Sequence, residues 1–202
     1  MLISHFFSDM LAEVLNANGV IDDADMSQYE YCLEYLFDII FYNFSLILFG
    51  CMLHDILGAI LYIFCVSLIK SVGGGYHAAS RLICSILSYS IFLTAMLTYR
   101  NLVICAFIGR TETASLMDYF YAAESFMIVL LSPVGNPNKR LSSREKVKLK
   151  YCSILLFSIV SFIYISLRLT SYKVYCIMIV ECFCVNGGSQ IAGLIKYRKP
   201  SI

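Results

Sequence analysis

Cys84 and His77 are the two side chains whose types and spacing could together carry out a reaction. They lie seven residues apart in Lys70-Ser71-Val72-Gly73-Gly74-Gly75-Tyr76-His77-Ala78-Ala79-Ser80-Arg81-Leu82-Ile83-Cys84. A thiol becomes a strong nucleophile when a neighbouring base takes its proton, and an imidazole is suited to that task near neutral pH. On one straight helix the pair would stand about 10.5 Å apart along the axis. Proton transfer needs roughly 3–4 Å.

The three glycines between Val72 and Tyr76 answer this mismatch. Each forfeits backbone entropy on folding and supplies no packing side chain, so a run of three predicts a break between two helices. The second helix is expected to start near Ala78 or Ala79, with His77 just outside it and Cys84 on its second turn. The break lets the chain fold back and bring the imidazole alongside the first turns. Free N–H groups at the helix start favour an anion there, a thiolate or an oxyanion. Beside this stands the plainer reading of Cys84 as a small buried hydrophobe, the usual role of a cysteine in an apolar helix.

The motif Gly74-Gly75-Tyr76-His77-Ala78, followed by Ser80 and Cys84 and preceded by Lys70, resembles the signature of the accessory gene regulator B (AgrB) family. A second stretch, Ser132-Pro133-Val134 with Asn138-Lys139 and Leu141, is similar to a downstream motif of that family. There the first position is commonly Ala, so Ser132 departs from the pattern. The resemblance implies a bacterial membrane cysteine endopeptidase that matures quorum-sensing peptides, with Cys84 as nucleophile and His77 as general base. Gly74 and Gly75 would shape the site. The implied substrate is a short precursor with an amphipathic leader and an acidic tail, which Lys70, Lys139 and Arg140 could attract. Cleavage would pass through an acyl-enzyme thioester to a thiolactone or lactone ring. No cofactor is implied. The remaining partners are the lipid bilayer, with a homo-oligomer as one open arrangement; nucleic acid is not among them.

Composition supports a membrane chain. Of 202 residues, 59% are hydrophobic and only 14% charged, and the mean hydropathy is +0.76. That excludes an ordinary soluble domain. The start lacks a basic region before an apolar run, so no signal peptide is expected. Most of the nine cysteines sit in apolar runs, which favours buried reduced thiols over a disulfide framework. Cys182-Phe183-Cys184 has no adjacent His or second Cys pair, and no metal site is assigned.

These features predict an all-α fold: a polytopic helical bundle of about six spans, forming one membrane domain over 1–202. Residues 1–18 read as an amphipathic helix closed by Asn18-Gly19, lying in the membrane interface or packed on the bundle. Spans 1–4 fall within 26–131, near 35–52, 56–69, 81–99 and 116–131, and flank the break at 70–84. A basic loop follows at 132–150, then spans 5 and 6 near 151–167 and 172–195. Span 3 is expected to stop before Arg100-Asn101, and span 6 to be interrupted by Asn186-Gly187-Gly188-Ser189-Gln190. Glu124 and Glu181, inside spans 4 and 6, read first as carboxylates holding helices together and second as groups that orient His77.

Counted by compartment, eleven Lys and Arg residues fall on the side of the termini and four on the other. The positive-inside rule then places both termini and the His77 loop in the cytoplasm, in the bacterial cytoplasmic membrane. Two rivals to a peptidase remain: a non-proteolytic peptide exporter using the intramembrane acids and the polar interruption in span 6, and a membrane scaffold in which Cys84 merely packs. The topology is open to direct test. In intact cells a cysteine at Ser143 should resist an impermeant thiol reagent while one at Arg110 reacts, and external labelling at 143 would overturn the six-span count.

Overall fold

A computed structural model describes residues 2–76, 78, 80–107, 112–135, 142–170 and 172–197. It contains seven α-helices and one 3-10 turn: α1 Leu2–Ala17, the turn Asp23–Asp25, α2 Met26–Met52, α3 Ile56–Gly73, α4 Arg81–Phe107, α5 Glu112–Leu131, α6 Ser143–Arg168 and α7 Tyr175–Tyr197. Two compact units result, Met1–His54 and Asp55–Ile202. Among the described residues there is no strand, only an isolated parallel bridge between Gly74 and Val134.

In the first unit α1 packs on α2. Gly19 closes α1 with φ +68°. The Val20 amide reaches the Leu15 carbonyl at 2.9 Å and the Gly19 amide reaches that of Asn16 at 2.8 Å, the paired bonds of a glycine-ended helix. Ser4, Ser8 and Ala12, one turn apart, are buried. Phe7 meets Phe37 and Phe41 at ring distances of 5.9 and 6.3 Å. Phe6, Met10 and Val14 are exposed, so only part of the apolar side of α1 packs on α2.

The second unit is built around α7, which packs against α3, α4, α5 and α6. Met178, Ile179, Cys182 and Phe183 are almost completely buried. Phe183 packs on Tyr121 at 5.2 Å, and Tyr121 stacks on Tyr164 at 4.0 Å. Tyr62 meets Phe92 edge-on at 5.1 Å. The outer faces of α3, α4 and α6 expose Leu57, Phe64, Ile86, Leu93, Leu155 and Phe162. Leaving such surface in water costs about 25 cal/mol per Å², whereas a bilayer covers it. Among the described residues five helices, α2, α3, α4, α6 and α7, are long and apolar enough to cross a membrane. The protein is an all-α polytopic membrane bundle. The expected fourth span corresponds to α5, which is not among those five; its 20 residues extend about 30 Å, one hydrocarbon thickness.

Outside the glycine break, the helices differ from the expectation at three places. α4 continues through Arg100 and Asn101, because both are exposed while Tyr99 is buried and stacks on Tyr175 at 6.3 Å. α7 runs unbroken through 186–190: Asn186 and Gln190 are buried, so the polar run lines the protein interior. Its glycines cost about 1 kcal/mol each relative to Ala in a helix, and tertiary contacts offset this. Gly187 leaves room for the Glu124 carboxylate of α5, which a Cβ would meet at 2.6 Å. Finally, α6 takes in 143–150, expected as loop. Ser142 and Glu145 form a reciprocal capping box, which satisfies amides that a helix start leaves unpaired.

Lys150, on α6, reaches back to the end of α5. Its ammonium donates to the carbonyls of Val129, Leu130 and Ser132, the last two at 3.1 Å. A cation there satisfies carbonyls that a helix end leaves without partners. Lys150→Met keeps the aliphatic stem and removes the donor. It should cost about 1–3 kcal/mol and lower the melting temperature in detergent by several degrees; an unchanged melting temperature would remove this tie between α5 and α6.

Candidate functional site

The glycine break is a compact set of backbone contacts. α3 ends at Gly73, and Gly74 (φ +69°) and Gly75 (φ +147°) turn the chain through angles that L side chains rarely adopt. Each of the three glycines admits a different neighbour. A Cβ on Gly73 would lie 2.4 Å from Gln190 Nε2, one on Gly74 2.5 Å from the Val134 carbonyl oxygen, and one on Gly75 2.6 Å from Ser189 Oγ. The loop is thus held from two sides. The Val134 amide donates to Gly73 O at 2.9 Å, and Gln190 Nε2 donates to the same oxygen at 3.4 Å.

Beyond the glycines, the Tyr76 amide donates to Ser189 O at 2.9 Å and to Ser189 Oγ at 3.1 Å. The Lys196 ammonium stands 4.5 Å from the centre of the Tyr76 ring, within cation–π range. α4 starts at Arg81, two to three residues later than expected. Ser80 caps it, its hydroxyl accepting from the Ile83 amide at 3.3 Å. The Cys84 amide bonds Ser80 O at 3.0 Å, so Cys84 sits at the end of the first turn, not on the second.

Half-buried Cys84 lines a cleft of about 330 Å³ bounded by α3, α4, α7 and the break. Lys70, Tyr76 and Ala78 share that lining with Cys184, Asn186, Gly188 and Ser189, and Val66, Leu87 and Ile91 supply apolar wall. Among the described residues the lining holds one cation, Lys70, and no carboxylate. The cleft therefore brings together Cys84 and Lys70, with Gly74 and Gly75 forming the turn beside it. His77, Lys139 and Arg140 lie outside the described residues; the neighbours of His77 in sequence, Tyr76 and Ala78, both line the cleft. Neither Glu124 nor Glu181 does.

Two elements of the site escaped the sequence reading. The Ser132-Pro133-Val134 segment is a motif similar to one of the family and was expected to open a basic loop, but its packing against Gly73 and Gly74 was not foreseen. Ser189 and Gly193 on α7 were not singled out. Small residues one turn apart in an apolar helix are the signal that could have marked a close backbone approach.

The fold and the cleft define a polytopic helical membrane protein that presents a thiol beside a glycine-built break between two helices. Residues 8–189 match the family model described as Accessory gene regulator B, and the chain belongs to that family. Membership suggests a role in peptide processing. No curated protein and no solved structure matches the chain.

The packing at Gly74 is open to test. Gly74→Val forces a side chain against the Val134 carbonyl at an unfavourable φ, so the Val134 and Tyr76 amides should exchange hydrogen about tenfold faster or more, with the middle of α5 unchanged. Wild-type exchange at both amides would mean that the segments are not docked as described.

Proposed function

We propose that this protein is a membrane cysteine endopeptidase that removes the C-terminal tail of a short quorum-sensing peptide precursor. The observation that carries the reading is the placement of Cys84, half-buried in a cleft that Tyr76, Ala78 and Lys70 also line. Family membership and the sequence motif support it. In the mechanism, His77 takes the Cys84 thiol proton and the sulfur attacks a peptide carbonyl of the precursor. The tetrahedral intermediate collapses, the C–N bond breaks, and the tail leaves as an amine carrying the proton from the imidazole. The remaining acyl group is held as a thioester on Cys84. Attack by a Cys or Ser side chain of the precursor then frees the thiol and closes a thiolactone or lactone ring.

Cys84 closes the first turn of α4, and amides of that turn not engaged by the Ser80 cap would suit an oxyanion developing beside the thiol. The apolar wall of the cleft limits competing hydrolysis of the thioester. Lys70 in the cleft, with Lys139 and Arg140, would draw an acidic tail towards the thiol. Both termini and the break face the cytoplasm in this reading, in line with the distribution of Lys and Arg. The rival exporter drew on the intramembrane acids and on a polar interruption in the last span; of these, the interruption is not seen, since α7 is continuous through 186–190.

The test is cleavage of a candidate precursor by the purified protein in proteoliposomes. Cys84→Ala and His77→Ala should each abolish tail release at normal insertion levels, while Cys51→Ala and Cys152→Ala keep it. Tail release by Cys84→Ala would exclude the thioester route.

A further inference from the structure

We propose that Ser189 and Gly193, one turn apart on α7, are positioning residues. They form a seat for the Gly75–Tyr76 backbone and so set where the chain carrying His77 stands against Cys84. This rests on the reading of His77 and Cys84 as base and nucleophile. It adds two residues with no reactive role of their own.

Three observations converge on the seat. The Tyr76 amide is shared between the carbonyl and the hydroxyl of Ser189, at 2.9 and 3.1 Å, so both acceptors come from one residue 113 positions away. A carbonyl oxygen has two lone pairs and can accept this bond without losing its helical partner. Next, a Cβ at Gly193 would lie 3.0 Å from Gly75 C, 3.1 Å from Tyr76 N and 3.2 Å from Gly75 O. All three are backbone atoms, which cannot swing aside as a flexible side chain would. Lastly, Gly193 is buried inside α7 and is not among the residues with positive φ. Helix geometry gives no reason for a glycine there; the approach of the loop does.

Anchoring the Tyr76 amide fixes the residue immediately before His77. Tyr76 is itself part of the cleft wall shared with Cys84. In the proposed mechanism the base follows Tyr76 directly in sequence, so a displaced Tyr76 amide would displace the base as well. On the opposite side, the Val134 amide holds Gly73 O at 2.9 Å, so the loop cannot relax away from a bulkier α7 without losing that bond.

Gly193→Ala isolates the effect, because alanine favours the helix while crowding the loop. The readout is alkylation of Cys84 by iodoacetamide across pH 5–9 on the full chain in detergent, followed by digestion and mass spectrometry of the peptide that contains Cys84. It needs no knowledge of the precursor. We expect His77→Ala to lower the neutral-pH rate about tenfold, and Gly193→Ala to lower it nearly as far with normal insertion. The double variant should be no slower than His77→Ala alone, since both changes remove one interaction. Ser189→Ala, which keeps the main-chain acceptor, should lose about threefold, and it decides the question should Gly193→Ala insert poorly. Ile195→Ala, exposed on the same helix, should match wild type.

A wild-type profile in Gly193→Ala and Ser189→Ala, with His77→Ala impaired, would overturn the seat and leave the peptidase reading intact. Additive losses in the double variant would overturn it equally, because the seat would then act independently of His77. A wild-type profile in His77→Ala would instead remove the base itself, and the seat with it.

Discussion

Backbone-to-backbone approach at the end of α3 is the constraint on which the rest of the structure depends. Four residues, 73–76, must lie against α7 on one side and against 132–134 on the other with almost no side-chain volume between. The three consecutive glycines therefore do more than bend the chain. Gly73 makes room for Gln190, Gly74 for the Val134 carbonyl and Gly75 for the Ser189 hydroxyl, and a side chain at any one would displace a different partner. Only Gly74 and Gly75 also need their unusual φ. Flexibility and close packing are usually opposed, but here the same residues serve both, because the missing Cβ that frees the backbone also opens the space that the neighbours fill.

That arrangement needs a stiff surround, and α7 supplies it. Its buried face interlocks with four helices, and its polar residues turn inward to meet the break rather than outward to lipid. Cys182 and Cys65 act as small apolar fillers beside Tyr62, with Cys182 Sγ 4.0 Å from the Tyr62 carbonyl. On a separate part of the bundle, Asp118 accepts from Tyr164 OH at 2.6 Å and from Arg168 Nε at 3.3 Å. This links α5 to α6. None of the three lines the cleft, so these polar side chains serve helix association away from it, while the break at its rim is held chiefly by main-chain contacts.

The sequence revealed those parts of the fold that depend on local chemistry. Gly19 ended α1 and the glycine run marked the break, and at the start of α3 the Asp55 carboxylate accepts from the Gly58 amide at 2.8 Å. Each works through its own φ or its own side-chain oxygen, so nearby residues suffice to place it. Misreadings arose where polarity was taken for a break. Arg100-Asn101 and 186–190 are both polar in an apolar chain, yet one pair faces outward and the other run faces inward. Only the neighbouring helices decide which. The start of α6 was legible in principle, since Ser142 followed three residues later by Glu145 is a capping signal, but the basic residues around it drew attention to topology instead. For the site, the thiol and its glycine-rich flank could be read directly. The contacts of 132–134 and of Ser189 with the break could not, because they join main-chain atoms, and a backbone amide carries no signature of its partner in the residue names.

This division has a consequence for how the cleft holds its shape. A side-chain network can rearrange when one member changes, since torsions about χ angles cost little. The break beside the cleft is held through main chain, which has few soft torsions, and at Gly74 and Gly75 those are fixed by contacts on both sides of the loop. Reactions that depend on proton transfer between two groups are sensitive to displacement, with about 1 Å of misplacement costing roughly a hundredfold in rate. Holding the residue before the proposed base by its own amide, and the thiol by its place at the end of a capped first turn, restricts both partners through their backbones. The cleft is completed only when Ser189 of the last helix meets Tyr76. The chemistry proposed for the first half of the chain thus depends on a surface that the second half provides.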